Sequence, residues 1–477
     1  MKKLKTSSTK QKVGFKGLVY SLDERLLGAE YSPNAYNFTF RNGVLKSDLG
    51  IEYAAGYNKN SALQRYVFES IAPHQKIKDA FIYHRRKNGE YDDKVVVQTS
   101  DGVFLYTSIF KKEGWTEIAG LNSKNDVSVV GYNYNGEDIL LISNAELGLM
   151  IFDGESVSKV DNSLGFSSVT VHFERVFGVA NGKENQVWFS SVLDPTNWTV
   201  GDENAGYITF QDECGNVEKI VSFLGYLYIF REHGIFRLTA YGDQSEFSLK
   251  KVFTDTGRIY KNTIALCGNK IMFYTDEGIF AFDGYSVTRL NLEVPTITLP
   301  TAVSGAYMEN KYYLCCKIDL EDYYDEVMTN NCILEYDLKE KSLSILAPYD
   351  AVKLVPMQVH HATDLLVVST RNKTDYLGMI TERGRIFDEN STKFYRAPYN
   401  DMGTDRLKIV REMIVNTRYP LTVTVKYDDQ ERSFDFRGSQ MPQKVFVDRC
   451  GQKIGFEIRS TYIHNLLAPI TVKIDLV

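Results

Sequence analysis

An apolar strand, a short polar turn and a second apolar strand recur along this chain, with turn positions at Gly102, Gly148, Asn185, Gly234, Gly278, Asn331 and Gly378. Their spacing lies close to the ~40–45-residue period of four-stranded propeller blades, units that cannot bury their apolar faces alone and must stack against like neighbours. The repeat predicts an all-β chain built as a β-propeller of about seven blades. That architecture limits where any chemistry can sit.

Two copies are clearest: GLMIFDGESVSKV from Gly148 and GIFAFDGYSVTRL from Gly278. They share the opening glycine, a Phe-Asp-Gly (Phe152, Asp153, Gly154 and Phe282, Asp283, Gly284) and a Ser-Val (Ser156, Val157 and Ser286, Val287). Each reads as a hairpin whose Asp-Gly turn accepts positive φ. Because Asp153 and Asp283 fill one slot of a repeat, they are expected to be turn residues rather than ligand sites. The strands ahead of the turns, such as EDILLISNAELG, GYLYIFREHG and NKIMFYTDEG, carry about four apolar residues after a polar start. That is the pattern of strands covered on both faces. The sixth and seventh repeats are stretched, by the insertion DLEDYYDEVMTN after Ile318 and by RNKTDY after Thr370.

Outside the repeats the chain changes character. Residues 1–20 read as a flexible basic arm, in which Lys2, Lys3, Lys5, Lys10 and Lys12 are a candidate phosphate-contacting set or a solvated tail. Residues 21–77 read as an N-terminal extension. It holds an Asn42-Gly43 hairpin, a short helix over SALQRYVFESIAPHQKI and material for an outer strand to close the ring. The propeller is expected over 78–403. Residues 404–477 hold six segments of alternating polarity, among them PLTVTVKY and KIGFEIRS, and read as a small antiparallel β-sandwich.

Against 55 Lys and Arg stand 61 Asp and Glu, a net charge of −6. No overall basic field of the kind needed for sequence-independent nucleic-acid binding exists, although a local one is allowed. No run approaches a membrane span and the basic N-terminus lacks a signal peptide's apolar stretch, so the expectation is a soluble, cytoplasmically made protein with no membrane partner. The six cysteines show no paired spacing and are expected to be buried free thiols.

The search for chemistry finds no nucleotide cradle, hydrolase elbow or zincin motif. His360 and His361 adjoin, but neighbours on a strand face opposite ways and make a poor metal pair. The expectation is no catalytic residue, no metal and no cofactor. The acidic, aromatic insertion at Asp322, Tyr323, Tyr324, Asp325 and Glu326 lacks the alternating order that wraps Ca²⁺, and is expected to be a subunit-contact loop. The third repeat is the most individual. Arg175 and Phe177 share one strand, Trp188, Phe189 and Ser190 the next, and Asp194, Pro195, Thr196, Asn197 and Trp198 form a turn that folds an indole back. A packed corner is expected there rather than a sugar platform.

At these residues the chain resembles tailed-bacteriophage virion proteins of the propeller-containing tail-hub, nozzle or packaged-DNA-stabilisation type. The resemblance lies in the Arg-led strand, the V-W-F-S strand and D-P-T-N-W, with YSPNAYNFTFRNGVLKSDLG near the start and DRCGQKIGFEIRS near the end. It implies a non-enzymatic structural role near the portal, with copies of the chain forming a ring that extends the DNA channel and helps retain the genome. The partners it implies are other copies, portal or adaptor and other tail proteins, and transiently the packaged DNA. It implies a location in the virion tail and supplies no catalytic residues. Fold alone would not license that step. The alternative is a carbohydrate-binding or glycan-processing propeller, with Trp115 and Trp198 as stacking platforms. A WD-repeat scaffold ranks last because its signatures are missing.

Overall fold

The computed structural model describes residues 7–20, 23–53, 76–109, 114–161, 163–201, 205–254, 257–290, 295–319, 328–359, 362–371, 374–382, 384–386, 389–463 and 466–477. Seven antiparallel sheets follow one another along the chain, each with its strands in sequence order: blade 1 (77–122), blade 2 (128–159), blade 3 (166–209), blade 4 (217–254), blade 5 (265–289), blade 6 (304–346) and blade 7 (351–381). The chain is a seven-bladed β-propeller. Its second strands are the most thoroughly covered: Lys94–Thr99, Arg175–Ala180 and Lys311–Cys316 are buried at every residue. This is why they read as continuous apolar runs, since neighbouring blades cover both faces.

Blade 7 has only three strands of its own in this stretch. Its fourth is Gly50–Tyr53, which pairs antiparallel with Thr374–Thr381 and closes the ring from the N-terminal side. Closure removes the exposed edges that an open ring would carry. Gly378, expected as a turn, instead lies within Thr374–Thr381 opposite Tyr53. A Cβ there would come within 2.7 Å of Ile51 Cγ2, so the glycine admits the closing strand. The sequence signal was a real glycine requirement with a different cause.

The sandwich is assembled from both ends of the chain. One sheet runs Ser7–Val13, Ile470–Leu476, Lys408–Val415, Gln443–Gly451, and the other Asn34–Tyr36, Lys393–Arg396, Ile454–Ser460, Leu421–Tyr427, Gln430–Phe436. Two expected boundaries therefore move. Ser7–Val13 is not a flexible arm but an edge strand in continuous register, from Ser7 opposite Leu476 to Val13 opposite Ile470. Its side chains are mostly exposed, so its placement rests on main-chain hydrogen bonds that leave no hydrophobic pattern. Likewise Lys393–Arg396, expected in the propeller, bridges Asn34–Tyr36 and Ile454–Ser460. The short-helix expectation at 61–77 falls, up to residue 75, outside the described residues.

Sandwich and ring share one apolar core: Val410, Val423 and Ile458 belong to the same cluster as Leu314, Leu334 and Ile345 of blade 6. Asn37, at φ 60°, fastens the junction. Its backbone N–H donates to Ile345 O at 2.7 Å, and its side chain donates to Thr392 O (2.7 Å) and accepts from Ala347 N–H (2.9 Å). Arg41 reaches Glu335 at 3.0 Å and Asp337 at 2.5 Å in blade 6. Burial raises the Glu335 carboxyl above its ordinary value against the opposing charges of Lys311 and Arg41.

Candidate functional site

The first strands of six blades, with Lys261 and Asn262 ahead of the first strand of blade 5, line a central cavity of about 580 Å³. Each blade contributes a polar residue at or near the start of its first strand: Asp79, Ser128, Ser168, Lys219, Ser304 and Lys353 within the strand, and Thr263 just ahead of Ala265–Cys267 in blade 5. Together with near neighbours, this belt joins every blade to the next. Lys78 pairs with Asp126 at 3.0 Å (blades 1 and 2). Val169 N–H donates to Ser128 Oγ at 2.9 Å and Ile220 N–H to Ser168 Oγ at 3.3 Å (blades 2 to 4). Lys219 Nζ donates to Ile264 O at 2.9 Å, and Tyr312 Oη to Thr263 O at 2.7 Å (blades 4 to 6). Leu354 N–H donates to Ser304 Oγ at 3.2 Å, and Lys353 Nζ meets Asp79 Oδ2 at 2.7 Å, completing the circle.

Desolvation shapes the charges at this mouth. Burial raises the Asp79 carboxyl above its ordinary value against the pull of Lys353, and burial likewise raises Glu218. Burial lowers Lys219 to about 8, helped by the like charges of Lys353 and Lys261. The mouth thus mixes both signs, and most belt groups are spent on holding neighbouring blades together. Among the described residues no group of three or more His, Cys, Asp or Glu converges as a metal site requires. The belt leaves no signal in the sequence, because its residues stand at no constant distance from the turns and meet only once the blades are side by side.

The paired aspartates are turn residues. Asp153 Oδ1 accepts from the N–H groups of Glu155 (2.8 Å) and Ser156 (2.7 Å), and Asp283 Oδ1 from Tyr285 (2.9 Å) and Ser286 (2.7 Å). Each also accepts its serine hydroxyl, which leaves little capacity for a ligand. Of the candidate lysines, Lys10 and Lys12 are exposed on the edge strand Ser7–Val13. Lys2, Lys3 and Lys5 lie outside the described residues, as do Asp322, Tyr323, Tyr324, Asp325 and Glu326 of the insertion and His360 and His361. Five cysteines are buried, with Cys316 Sγ 3.6 Å from Cys332 Sγ across the strand pair. Cys450 is exposed, contrary to expectation, because it lies on the wet side of an edge strand.

The blade 3 motif folds into one corner on the opposite face. Trp198 is buried, its ring 4.6 Å from that of Phe166 and its Nε1–H donating to Pro195 O at 2.9 Å. Asp194 Oδ1 accepts from Thr196 N–H at 2.8 Å and from its hydroxyl at 2.6 Å. Arg175 points inward, donating to Ser190 O at 2.8 Å and Gly242 O at 3.3 Å. The corner pushes Val192 and Leu193 to the surface, the latter 64% exposed. Beside them His172, Phe173 and Tyr241 line a groove of about 270 Å³. Burial holds His172 down to about 4, and its Nδ1 meets Ser222 Oγ at 2.8 Å.

No protein-family model matches the chain, and no curated protein matches it. Among solved structures it is similar to BBS1N in a complex with ARL6DN, with 11% identity and a TM-score of 0.41, over 64% of this chain and 92% of that one. It is also similar to BamB from Moraxella catarrhalis, with 9% identity and a TM-score of 0.38, over 61% and 81%. A third is the computationally designed Ika8 protein, with 11% identity and a TM-score of 0.36, over 64% and 97%. At these levels the likenesses carry nothing about activity or partners.

Proposed function

We propose that this protein is a non-enzymatic structural component of a tailed-phage virion, a ring-forming subunit of the tail hub or nozzle beside the portal that helps build the DNA channel and retain the packaged genome. The observation that supports this most is the blade 3 corner. The residues that carry the family resemblance are packed as scaffold, and their packing displays apolar side chains outward instead of forming a ligand pocket. The shared core of ring and sandwich suits a part that must hold its shape under load.

Electron microscopy of the purified protein is expected to show closed rings, and particles assembled without it are expected to lose DNA. A stable monomer that binds or cleaves glycans at the central mouth would instead support the carbohydrate reading.

A further inference from the structure

The first turn of each blade occupies one slot of the repeat, so the blades serve as controls for one another. Blade 2 uses Asn135-Gly136, blade 5 Gly268-Asn269 and blade 6 Glu309-Asn310. Asn and Gly tolerate the left-handed backbone that these two-residue turns need. Blades 3 and 4 instead open their turns with an apolar residue, Phe173-Glu174 and Leu224-Gly225, where blade 6 opens with the polar Glu309 at φ 48°. Phe173 sits at φ 50° and Leu224 at φ 48°, conformations that bulky L-residues rarely adopt. Both are also more than half exposed, at 52% and 56%. Leu193, at φ 59° in the neighbouring corner, repeats the combination. Three large apolar side chains are therefore held in strained backbone and shown to water on one face. Tyr241 joins them, its ring 5.5 Å from that of Phe173. Around them stand the exposed carboxylates Glu174, Asp243 and Glu246, while Arg175 is turned inward. Neither local turn stability nor core packing accounts for this patch.

The complementary surface is on the same chain. On the open face of the sandwich, register places Lys10, Lys473, Glu412 and Phe446 in one row across four strands. Lys12 and Lys444 flank that row, with Lys444 Nζ 4.9 Å from the centre of the Phe446 ring. Phe446 is 65% exposed, so an aromatic stands out of a field in which cations outnumber carboxylates. Salt between the sheet's own side chains, such as Lys444 with Glu412, leaves Lys10 and Lys12 outward.

We propose that the apolar, acid-rimmed face of blades 3 and 4 docks a second copy of this chain through the basic, Phe446-bearing face of its sandwich. The two surfaces differ, so the contact is heterologous and propagates around a ring or along a filament. This rests on the reading of the chain as a ring-forming subunit and adds which surfaces meet. Apolar centres supply the attraction, and opposite charges set the partner and register.

Sedimentation velocity of the full chain across micromolar concentrations is the test. The double variant Phe173→Asn, Leu224→Asn gives both turns a residue they favour, so it is expected to fold as well as the parent and self-associate at least roughly tenfold more weakly. Phe446→Ser is expected to do the same from the other side. An equimolar mixture of these two variants keeps one intact contact and is expected to give dimers that grow no further.

If both variants assemble like the parent, the docking inference falls while the ring reading stands. If the parent itself stays monomeric, both fall. If a duplex DNA oligonucleotide binds the parent and Phe446→Ser or Lys12→Glu abolishes that binding without changing assembly, the sandwich face is a nucleic-acid surface and the inference is overturned.

Discussion

The two faces of the ring treat polar and apolar groups in opposite ways. At the mouth, polar side chains that would be costly to bury are joined blade to blade, so the belt from Asp79 to Lys353 is a closed circuit. On the opposite face, Phe173, Leu193 and Leu224 are left in water on strained turns. A seam inside one molecule needs its groups satisfied, whereas a surface that meets another molecule keeps some unsatisfied until it does. The contrast separates what holds the ring together from what the ring presents.

The sharpest way to break the contrast is at Trp198, the packed foot of the displayed corner. Trp198→Ala is expected to lower stability by about 3–5 kcal/mol, read from chemical denaturation, because it opens a cavity beside Phe166 in the buried cluster of blades 2 and 3. An unchanged midpoint would mean that the indole is not core.

At the mouth, Lys353→Met removes the partner of buried Asp79 and is expected to cost about 2–4 kcal/mol. A loss much below that would mean the belt is solvated and not a seam.

His172 tests the underside by pH. Its folded value near 4 lies below the ordinary 6.5, so the unfolded chain takes up the proton first. Stability is therefore complete above about 6.5 and falls as pH drops from there toward 4, by on the order of 2–3 kcal/mol in this one contribution. His172→Gln is expected to flatten that part of the stability–pH curve.

The smallest effect has the opposite sign. Leu224→Asn alone is expected to raise stability by up to about 1 kcal/mol, since it relieves a left-handed leucine. A loss of stability would mean that Leu224 packs within its own molecule and displays nothing.

Much of the architecture was legible because repetition amplifies weak signals. The Asp153 and Asp283 turns, the alternating strands of the sandwich and the Asn42-Gly43 hairpin each follow from local chemistry. The Ser7–Val13 strand was not legible, because edge pairing is made by backbone atoms common to all residues. Gly378 shows the intermediate case, where the residue was rightly noticed but its neighbour Ile51 comes from far away in the chain. For the candidate sites, the sequence pointed to the blade 3 corner, but the displayed turns needed a structural register to show that Phe173 and Leu224 sit where the other turns carry Asn135, Gly268 or Glu309.

By itself the sequence determined the period, and so the kind of fold, because hydrophobic alternation and turn residues act over a few positions. The tertiary structure decided how the ring closes, that both ends of the chain build one sandwich, and which apolar side chains stand exposed on a face. Those depend on contacts between segments hundreds of residues apart, such as Ser7 with Leu476 and Gly50 with Thr381, and no local pattern encodes them.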